Sequence, residues 1–278
     1  MAAKSKLSVG VDLGGTNVRA GLVNSQRIVK LESKHIRSMG SEDEVFADLC
    51  SVIDAVFDKK VRSIGVGVPS LVNVKEGTLF DTTNIPSWKK VPLKRRLERR
   101  YKVPVTLNND ANCFALGEKR FGVAKKADNF VGLVIGTGLG AGIVINGELH
   151  SGIHCGAGEF GLAPYRDSIL EHYASGQFFR RQDLDGATLA KEARAGSREA
   201  QAVFDELGRH VAHAIKLILY SLAPEMIVLG GSVSQSLPLF EKSMREALSD
   251  FAYPSILQQL KLKTSKLKEV AILGAASL

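Results

Sequence analysis

Apolar positions alternate with polar ones from the start of the chain. Leu7, Val9 and Val11 share one face, and the run ends at Asp12 beside a turn through Gly14 and Gly15. The same two-residue period marks strands over 17–24 and 27–33, joined through the turn residues Asn24 and Ser25, so the chain opens as a β-meander. The period then becomes helical: Val45, Leu49, Val52, Ile53 and Val56 mark one face of a helix. SIGVGVP at 63–69 reads as a buried strand closed by Pro69. Leu93, Leu97 and Tyr101 recur at four-residue spacing on a second helix, and VPVTLNND at 103–110 supplies a further strand. Three strands, helix, strand, helix, strand is an order that suits a mixed sheet with helices on its faces.

A similar plan restarts near residue 129. NFVGLVIGTGLGAGIVINGELH reads as strand, glycine-rich turn, strand, turn and short strand. Val203, Phe204, Leu207, Val211, Ala214, Ile215, Ile218 and Leu222 form a helical stripe that stops at Pro224. MIVLGGS then runs as a strand into Gly230 and Gly231, and a final helix is expected around 268–278, with short side chains at Gly274, Ala275, Ala276 and Ser277 for close packing. No low-complexity linker separates the halves, and the pattern places their boundary near 112–118, just after NNDAN.

Length and composition agree with two domains: 278 residues, 45% hydrophobic and 24% charged, suffice for two cores. No stretch approaches the roughly 18 apolar residues that span a bilayer, and MAAKSK leads into a strand without a signal-peptide core, so a cytoplasmic protein without membrane partners is expected. Cys50, Cys113 and Cys155 are widely spaced and read as packing residues. The net charge of +8 is concentrated in WKKVPLKRRLERRYK, through Lys89, Lys90, Lys94, Arg95, Arg96, Arg99, Arg100 and Lys102. The helical spacing of its apolar residues favours a solvated basic face over a polyphosphate or nucleic-acid surface.

Candidate chemistry begins at the turns. Gly14 and Gly15 lack a Cβ, permit positive φ and let backbone approach a ligand, and Thr16 and Asn17 add short hydrogen-bonding side chains. Such a turn could cradle phosphate, or it could be a tight hairpin with a solvated Asp. The motif alone leaves both open. Three strand-to-glycine-turn elements in one chain, DLGGTN at 12–17, GTGLGAG at 136–142 and LGGS at 229–232, carry more weight than one.

With Asp110 between the first two turns, their spacing resembles the sugar kinase, actin and Hsp70 superfamily, and the details resemble its ROK branch (repressor, open reading frame, kinase). VDLGGTNVRAGLV, GVGVPSLVN, LNNDANCFALGE, GTGLGAGIVINGELHSG, GAGEFG, ILEHYASG, IVLGGSVS and AILGAASL carry the resemblance from about residue 7 to residue 278. It implies an α/β fold of two RNase H-like (actin-like ATPase) domains with a ligand cleft between them: 1–114, rejoined by a C-terminal helix at 266–278, and a larger 115–265. It further implies an ATP-dependent and Mg²⁺-dependent hexose kinase, glucokinase-like, acting at the 6-hydroxyl of glucose. Phosphates would meet Gly14, Gly15, Thr16 and Asn17 and also Gly136, Thr137, Gly138 and Gly140, with Gly230, Gly231 and Ser232 near the nucleoside. Thr137 could donate its hydroxyl to a phosphate oxygen.

Asp110 matches the family's catalytic base; the alternative is that it only caps the helix that follows. Asp12 would orient Mg²⁺ through water, or serve only its turn. Asn109, Glu159 and Glu171 match positions that bond sugar hydroxyls, although Glu171 also fits an exposed helix position, and Ser70, Thr83 and Asn84 lie in segments that resemble the substrate wall. The chain departs from the family where GEFG is followed by Leu162 in place of His, and the cysteine-rich zinc segment before Glu171 is missing. His154 and His172, without a cysteine partner, are expected to be structural, and no zinc is expected. Leu162 removes a contact to the sugar, which leaves the sugar open among hexoses and N-acetylhexosamines. Polyphosphate is an alternative donor through the 89–102 surface. A catalytically silent sugar-binding protein is a rival reading, as is a regulator; the first strand at about Leu7 leaves no room for a preceding DNA-binding module. A homodimer is compatible with the resemblance.

Overall fold

The computed structural model describes residues 7–25, 27–82 and 84–278. Two five-stranded mixed sheets are built to one plan. In the first, β1 (Leu7–Leu13), β2 (Asn17–Val23) and β3 (Ile28–His35) form an antiparallel meander. Helix α1 (Glu42–Val56) leads to β4 (Val61–Val68), which pairs parallel to β1. A small sheet of β5 (Leu71–Asn73), β6 (Thr78–Phe80) and β7 (Lys90–Val91) intervenes before α2 (Leu93–Tyr101) and β8 (Val105–Asn109), the latter parallel to β4. Helix α3 (Asp110–Arg120) crosses to the second half.

There β9 (Phe130–Ile135), β10 (Leu139–Ile145) and β11 (Glu148–His150) repeat the meander. A two-stranded hairpin, β12 (Pro164–Tyr165) with β13 (Ser168–Ile169), precedes α4 (Glu171–Ala174), α5 (Gln177–Arg180), α6 (Gly186–Arg194) and the long α7 (Arg198–Leu222). Strand β14 (Met226–Gly230) pairs parallel to β9; α8 (Leu237–Leu248), α9 (Pro254–Gln259), β15 (Lys261–Thr264) and α10 (Val270–Ala275) complete the chain. The strand orders, β3-β2-β1-β4-β8 and β11-β10-β9-β14-β15, are the same topology twice. No helix among the described residues is long and apolar enough to cross a membrane.

The local causes are those the pattern predicts. Ser41 and Glu44 close a reciprocal capping box at the start of α1, whose buried face includes Val45, Leu49, Val52, Ile53 and Val56. Helix α7 buries Phe204, Leu207, Val211, Ala214, Ile215 and Ile218 and stops at Ala223 in the left-handed region before Pro224, while Val203 and Leu222 are half-buried at the stripe's margin. On α2, Leu93 and Leu97 are buried, but its basic face is not wholly given to solvent. Arg96 reaches Glu42 and Asp43 at 2.6 Å each and stacks over the Phe46 ring, and Arg100 reaches Asp54 at 2.6 Å, so α2 is laced to α1.

The final helix is shorter than the expected 266–278 and covers only Val270–Ala275. Glu269 adopts a left-handed backbone, φ 52°, which blocks helix at its N-terminal side, and its carboxylate is held by Arg19 at 2.6 Å. Small residues let α10 lie against three backbones. A Cβ on Gly10 of β1 would overlap the Ile272 carbonyl, one on Gly65 of β4 the Ala275 carbonyl, and one on Gly274 the Cys113 carbonyl of α3.

Candidate active site

Strand β1 delivers Asp12 and Leu13 to a turn in which the Gly14 N–H donates to the Asn17 carbonyl at 2.9 Å. The element is therefore a β-hairpin between β1 and β2, and its tip, Thr16 and Asn17, is exposed. Neither Gly14 nor Gly15 uses the positive φ that glycine permits. Gly15 is required for proximity instead. A Cβ there would stand 2.6 Å from that of Asn84, so the turn and this substrate-wall candidate touch.

Asp12 is paired across the hairpin register with Arg19, its Oδ2 accepting from Nη2 at 2.5 Å, and Arg19 reaches Glu269 with its other terminal nitrogen. A guanidinium shared between two carboxylates fixes the Asp12 side chain in direction and leaves its Oδ1 for another partner. Sequence reasoning missed Arg19 and Glu269. The strand alternation around the hairpin was a usable signal for the first, whereas nothing local pointed to the second.

Asp110 opens α3 directly after β8, but it does not cap it. The cap is Asn109, whose Oδ1 accepts from the Ala111 N–H at 2.9 Å, and Asp110 Oδ1 shares that donor at 2.8 Å. Capping thus occupies the oxygen of Asn109 and leaves its amide nitrogen to donate. Beneath Asp110 lie Gly67 of β4 and Cys113; a Cβ on Gly67 would be 3.1 Å from the thiol and 3.6 Å from the Asp110 Cα. Burial pushes the Asp110 carboxyl up to about 7, helped by the carboxylates of Asp12 and Glu159, against the opposing pull of the Ala111 N–H. Glu159 is itself raised, by desolvation and then by Glu171. Asp12, Asp110, Glu159 and Glu171 thus form a chain of carboxylates, each within electrostatic reach of the next.

The second glycine turn is closed by the Gly136 N–H on the Gly138 carbonyl at 3.0 Å. Glu171 Oε2 accepts from the Leu139 N–H at 2.8 Å, filling the space a Cβ on Gly138 would need. The Ser175 hydroxyl donates to the Thr137 carbonyl, and the Gly176 N–H to that of Gly136, so the segment 171–176 braces the turn. Nothing lies within 4 Å of a Cβ on Gly136, and Thr137 is exposed. Gly140 belongs to β10, where its close neighbour is Ala111 of α3 at 3.2 Å, so it lies beyond the turn itself. At the third turn Gly230 ends β14 and packs on the Phe114 ring, Gly231 has φ 85°, and Ser232 is exposed.

Ser70 is buried with its hydroxyl 3.2 Å from that of Thr82; Asn84 is exposed at φ 66°; Thr83 lies outside the described residues. Leu162 follows Glu159 in a single turn, its N–H donating to the Glu159 carbonyl, and is 59% exposed. His154 packs on Phe80, and His172 bonds Ser168 and Arg181. Cys50, Cys113 and Cys155 are free and buried. Among the described residues no group of three or more His, Cys, Asp or Glu side chains could hold a metal ion. A cation at Asp12 would have one carboxylate oxygen from the protein, which fits Mg²⁺, an ion that keeps waters and takes its remaining ligands from phosphate.

The geometry has counterparts among known proteins. The chain is 30% identical to the glucokinase of Thermotoga maritima over 304 aligned positions, covering 97% of this chain and 96% of that protein. It is 27% identical to the xylose repressor of Caldicellulosiruptor bescii, covering 95% and 75% respectively. The crystal structure of a ROK family glucokinase from Streptomyces griseus, in complex with glucose and AMPPNP, superposes with a TM-score of 0.84 at 26% identity and 98% coverage of both chains. The ROK family pattern itself matches residues 8–278, from the first strand through the returning helix, and the chain belongs to the ROK family.

Proposed function

We propose that this chain is an ATP-dependent hexose kinase that phosphorylates the 6-hydroxyl, with glucose the first acceptor to test. The observation that carries the reading is the convergence of Asp12 from β1, Asp110 from the start of α3 and Glu159 from a loop, with Asp110 held near the pKa a general base needs. In this reading the domains are 1–114 with 266–278, and 115–265, the division falling within α3, which packs against both halves.

Asn109, Glu159 and Glu171 bind sugar hydroxyls, with Ser70, Thr83 and Asn84 on the wall. The turns at Gly14–Asn17 and Gly136–Gly138 hold phosphate oxygens through backbone N–H groups and the Thr16 and Thr137 hydroxyls, Gly140 supports the second turn, and Gly230, Gly231 and Ser232 line the nucleoside end. Asp110 orients the 6-hydroxyl and takes its proton as oxygen bonds to the γ-phosphorus, while the bond to the β–γ bridging oxygen breaks and ADP leaves. Asp12, through its free Oδ1, would hold Mg²⁺ by way of water, and the ion would supply neutralisation of the phosphate charge. Closure of the two halves excludes water that would compete for the phosphoryl group. The reading includes a cytoplasmic location, no zinc requirement and a homodimer, the last tested by light scattering and the zinc by metal analysis.

A coupled ADP-release assay over hexoses and N-acetylhexosamines, with ATP or polyphosphate as donor, tests it. Turnover that needs both a hexose and ATP is expected. Saturable sugar binding without turnover would overturn the kinase reading and favour the second one, a non-catalytic or regulatory sugar-binding protein. That reading draws on the exposed Leu162 and on similarity to a repressor.

A further inference from the structure

The segment that carries Glu171 has no long helix of its own. Helix α4 is a single turn of four residues, yet Glu171 must hold one orientation to keep its Oε2 on the Leu139 N–H. The neighbouring side chains explain how it is held. Tyr173, two residues on, stacks edge-on against Tyr165 of the β12–β13 hairpin at 5.3 Å and lies 5.2 Å from the ring of His210 in α7. The hydroxyl of Tyr165 is 3.0 Å from His210 Nδ1, and its ring packs on His213 at 4.4 Å. His210 is 1% exposed and is fixed further by Phe178. On the outer side the Tyr173 hydroxyl donates to Asp167, and His172 is bonded to Ser168.

We propose that Tyr165 and His210 are positioning residues for Glu171: through Tyr173 they anchor the one-turn helix to α7 and so set the carboxylate against the second glycine turn. The role differs from that of an ordinary core aromatic. Phe204, Leu207, Val211, Ile215 and Ile218 of α7 share one core with Leu170 and Ala174, which flank Glu171, and Tyr165 packs against its margin, so the clamp adds direction to a segment that this core already holds down. Aromatic rings suit the task, because an edge-to-face pair constrains both distance and angle while losing little side-chain entropy. The consequence for catalysis rests on the reading of Glu171 as a sugar ligand; the geometric part does not.

The test uses Tyr165→Ala, Tyr165→Phe and Glu171→Ala, with two readouts. Amide exchange at Leu139 reports the Glu171 bond directly, and an amide in central β14 of the same half, such as that of the buried Val228, reports global opening. Steady-state kinetics separates sugar KM, nucleotide KM and kcat. Tyr165→Ala is expected to speed exchange at Leu139 as far as Glu171→Ala does, leave Val228 protected, and raise sugar KM about tenfold with kcat and nucleotide KM within about twofold. Tyr165→Phe, which keeps the ring and loses only the hydroxyl, should recover most of both effects. Wild-type exchange at Leu139 in Tyr165→Ala would overturn the proposal. If Tyr165→Ala loses protection at Val228 as well, His210→Gln decides by the same comparison, with wild-type Leu139 exchange overturning it. A change in Leu139 exchange in both alanine variants, with sugar KM unmoved by Glu171→Ala, would instead refute the sugar-ligand reading and leave the positioning role standing.

Discussion

Replacing Asp110 with Asn is expected to lower kcat by at least about 100-fold while changing sugar affinity by less than about threefold, because the substitution keeps size and hydrogen bonding and removes only the ability to take a proton. A helix cap would not behave this way: Asn109 is the N-cap of α3, Asp110 Oδ1 shares the Ala111 N–H with it, and an Asn at 110 keeps an oxygen to accept that bond. The pH dependence supplies an independent readout. With its pKa pushed up to about 7, the carboxylate is the active form only on the alkaline side, so kcat/KM should rise with pH along a limb centred near 7. The limb should be absent from the Asp110→Asn variant. Stability carries the opposite sign. A carboxyl whose folded pKa lies above its unfolded value of about 3.9 binds more protons when folded, so its ionisation weakens the fold as pH rises between those values. Thermal melts from pH 4 to 8 should therefore show Asp110→Asn gaining in Tm relative to wild type with rising pH. An unchanged kcat would remove Asp110 from the chemistry; a flat Tm difference would mean that its carboxyl is not buried against Asp12 and Glu159.

The largest loss of stability is expected from Gly65→Val. A side chain on Gly65 has no space, because the Ala275 carbonyl of α10 occupies the Cβ position, and the obstacle is backbone rather than a movable side chain. Either α10 lifts or β4 bends, at a cost of about 3 kcal/mol or more, at the upper end of overpacking effects. Urea unfolding should show the midpoint falling with little change in slope. If α10 lifts, Glu269 leaves Arg19, and Asp12 loses its constraint with it, so residual activity in folded protein should fall further than stability alone explains. Gly136→Ala is the contrasting case. Nothing lies within 4 Å of the added methyl, so its melting temperature should match wild type while the nucleotide KM rises, as the methyl projects into the open space where phosphate is proposed to bind. A large stability loss at Gly136, or none at Gly65, would show that the glycines serve other ends.

Much of the fold was legible because strands and long helices are written in short-range periodicity. The β1–β2 turn, the α1 and α7 stripes and the repeated meander each depend on residues within one element, and the structure reproduces them. Apart from β11, which follows a turn the sequence marks, short elements were not legible. Strands β5, β6, β7, β12 and β13 span two or three residues each, and helices α4 and α5 span one turn, too little for a period to appear. Helix α8 was legible in principle, since Phe240, Met244 and Leu248 recur at helical spacing and are buried. Glycine at 14 and 15 left open whether positive φ or space was the need, and only the folded chain, which brings Asn84 against Gly15, shows that there it is space.

Sequence by itself determined the fold class, the family and the identity of the acidic and glycine-rich residues, because those follow from local pattern and from motifs that persist through nearly the whole chain. Tertiary structure alone decided which of them meet. The carboxylates of Asp12, Asp110, Glu159 and Glu171 are drawn together by the parallel pairing of β1 with β4 and β4 with β8, and by the packing of α3 against the second sheet. Glu269, at the far end of the chain, is brought to Arg19 only because glycines on β1 and β4 let the last helix come down on their backbones. Desolvation and charge coupling depend on distance through space, and the raised proton affinity of Asp110 arises only when the folded chain closes that distance.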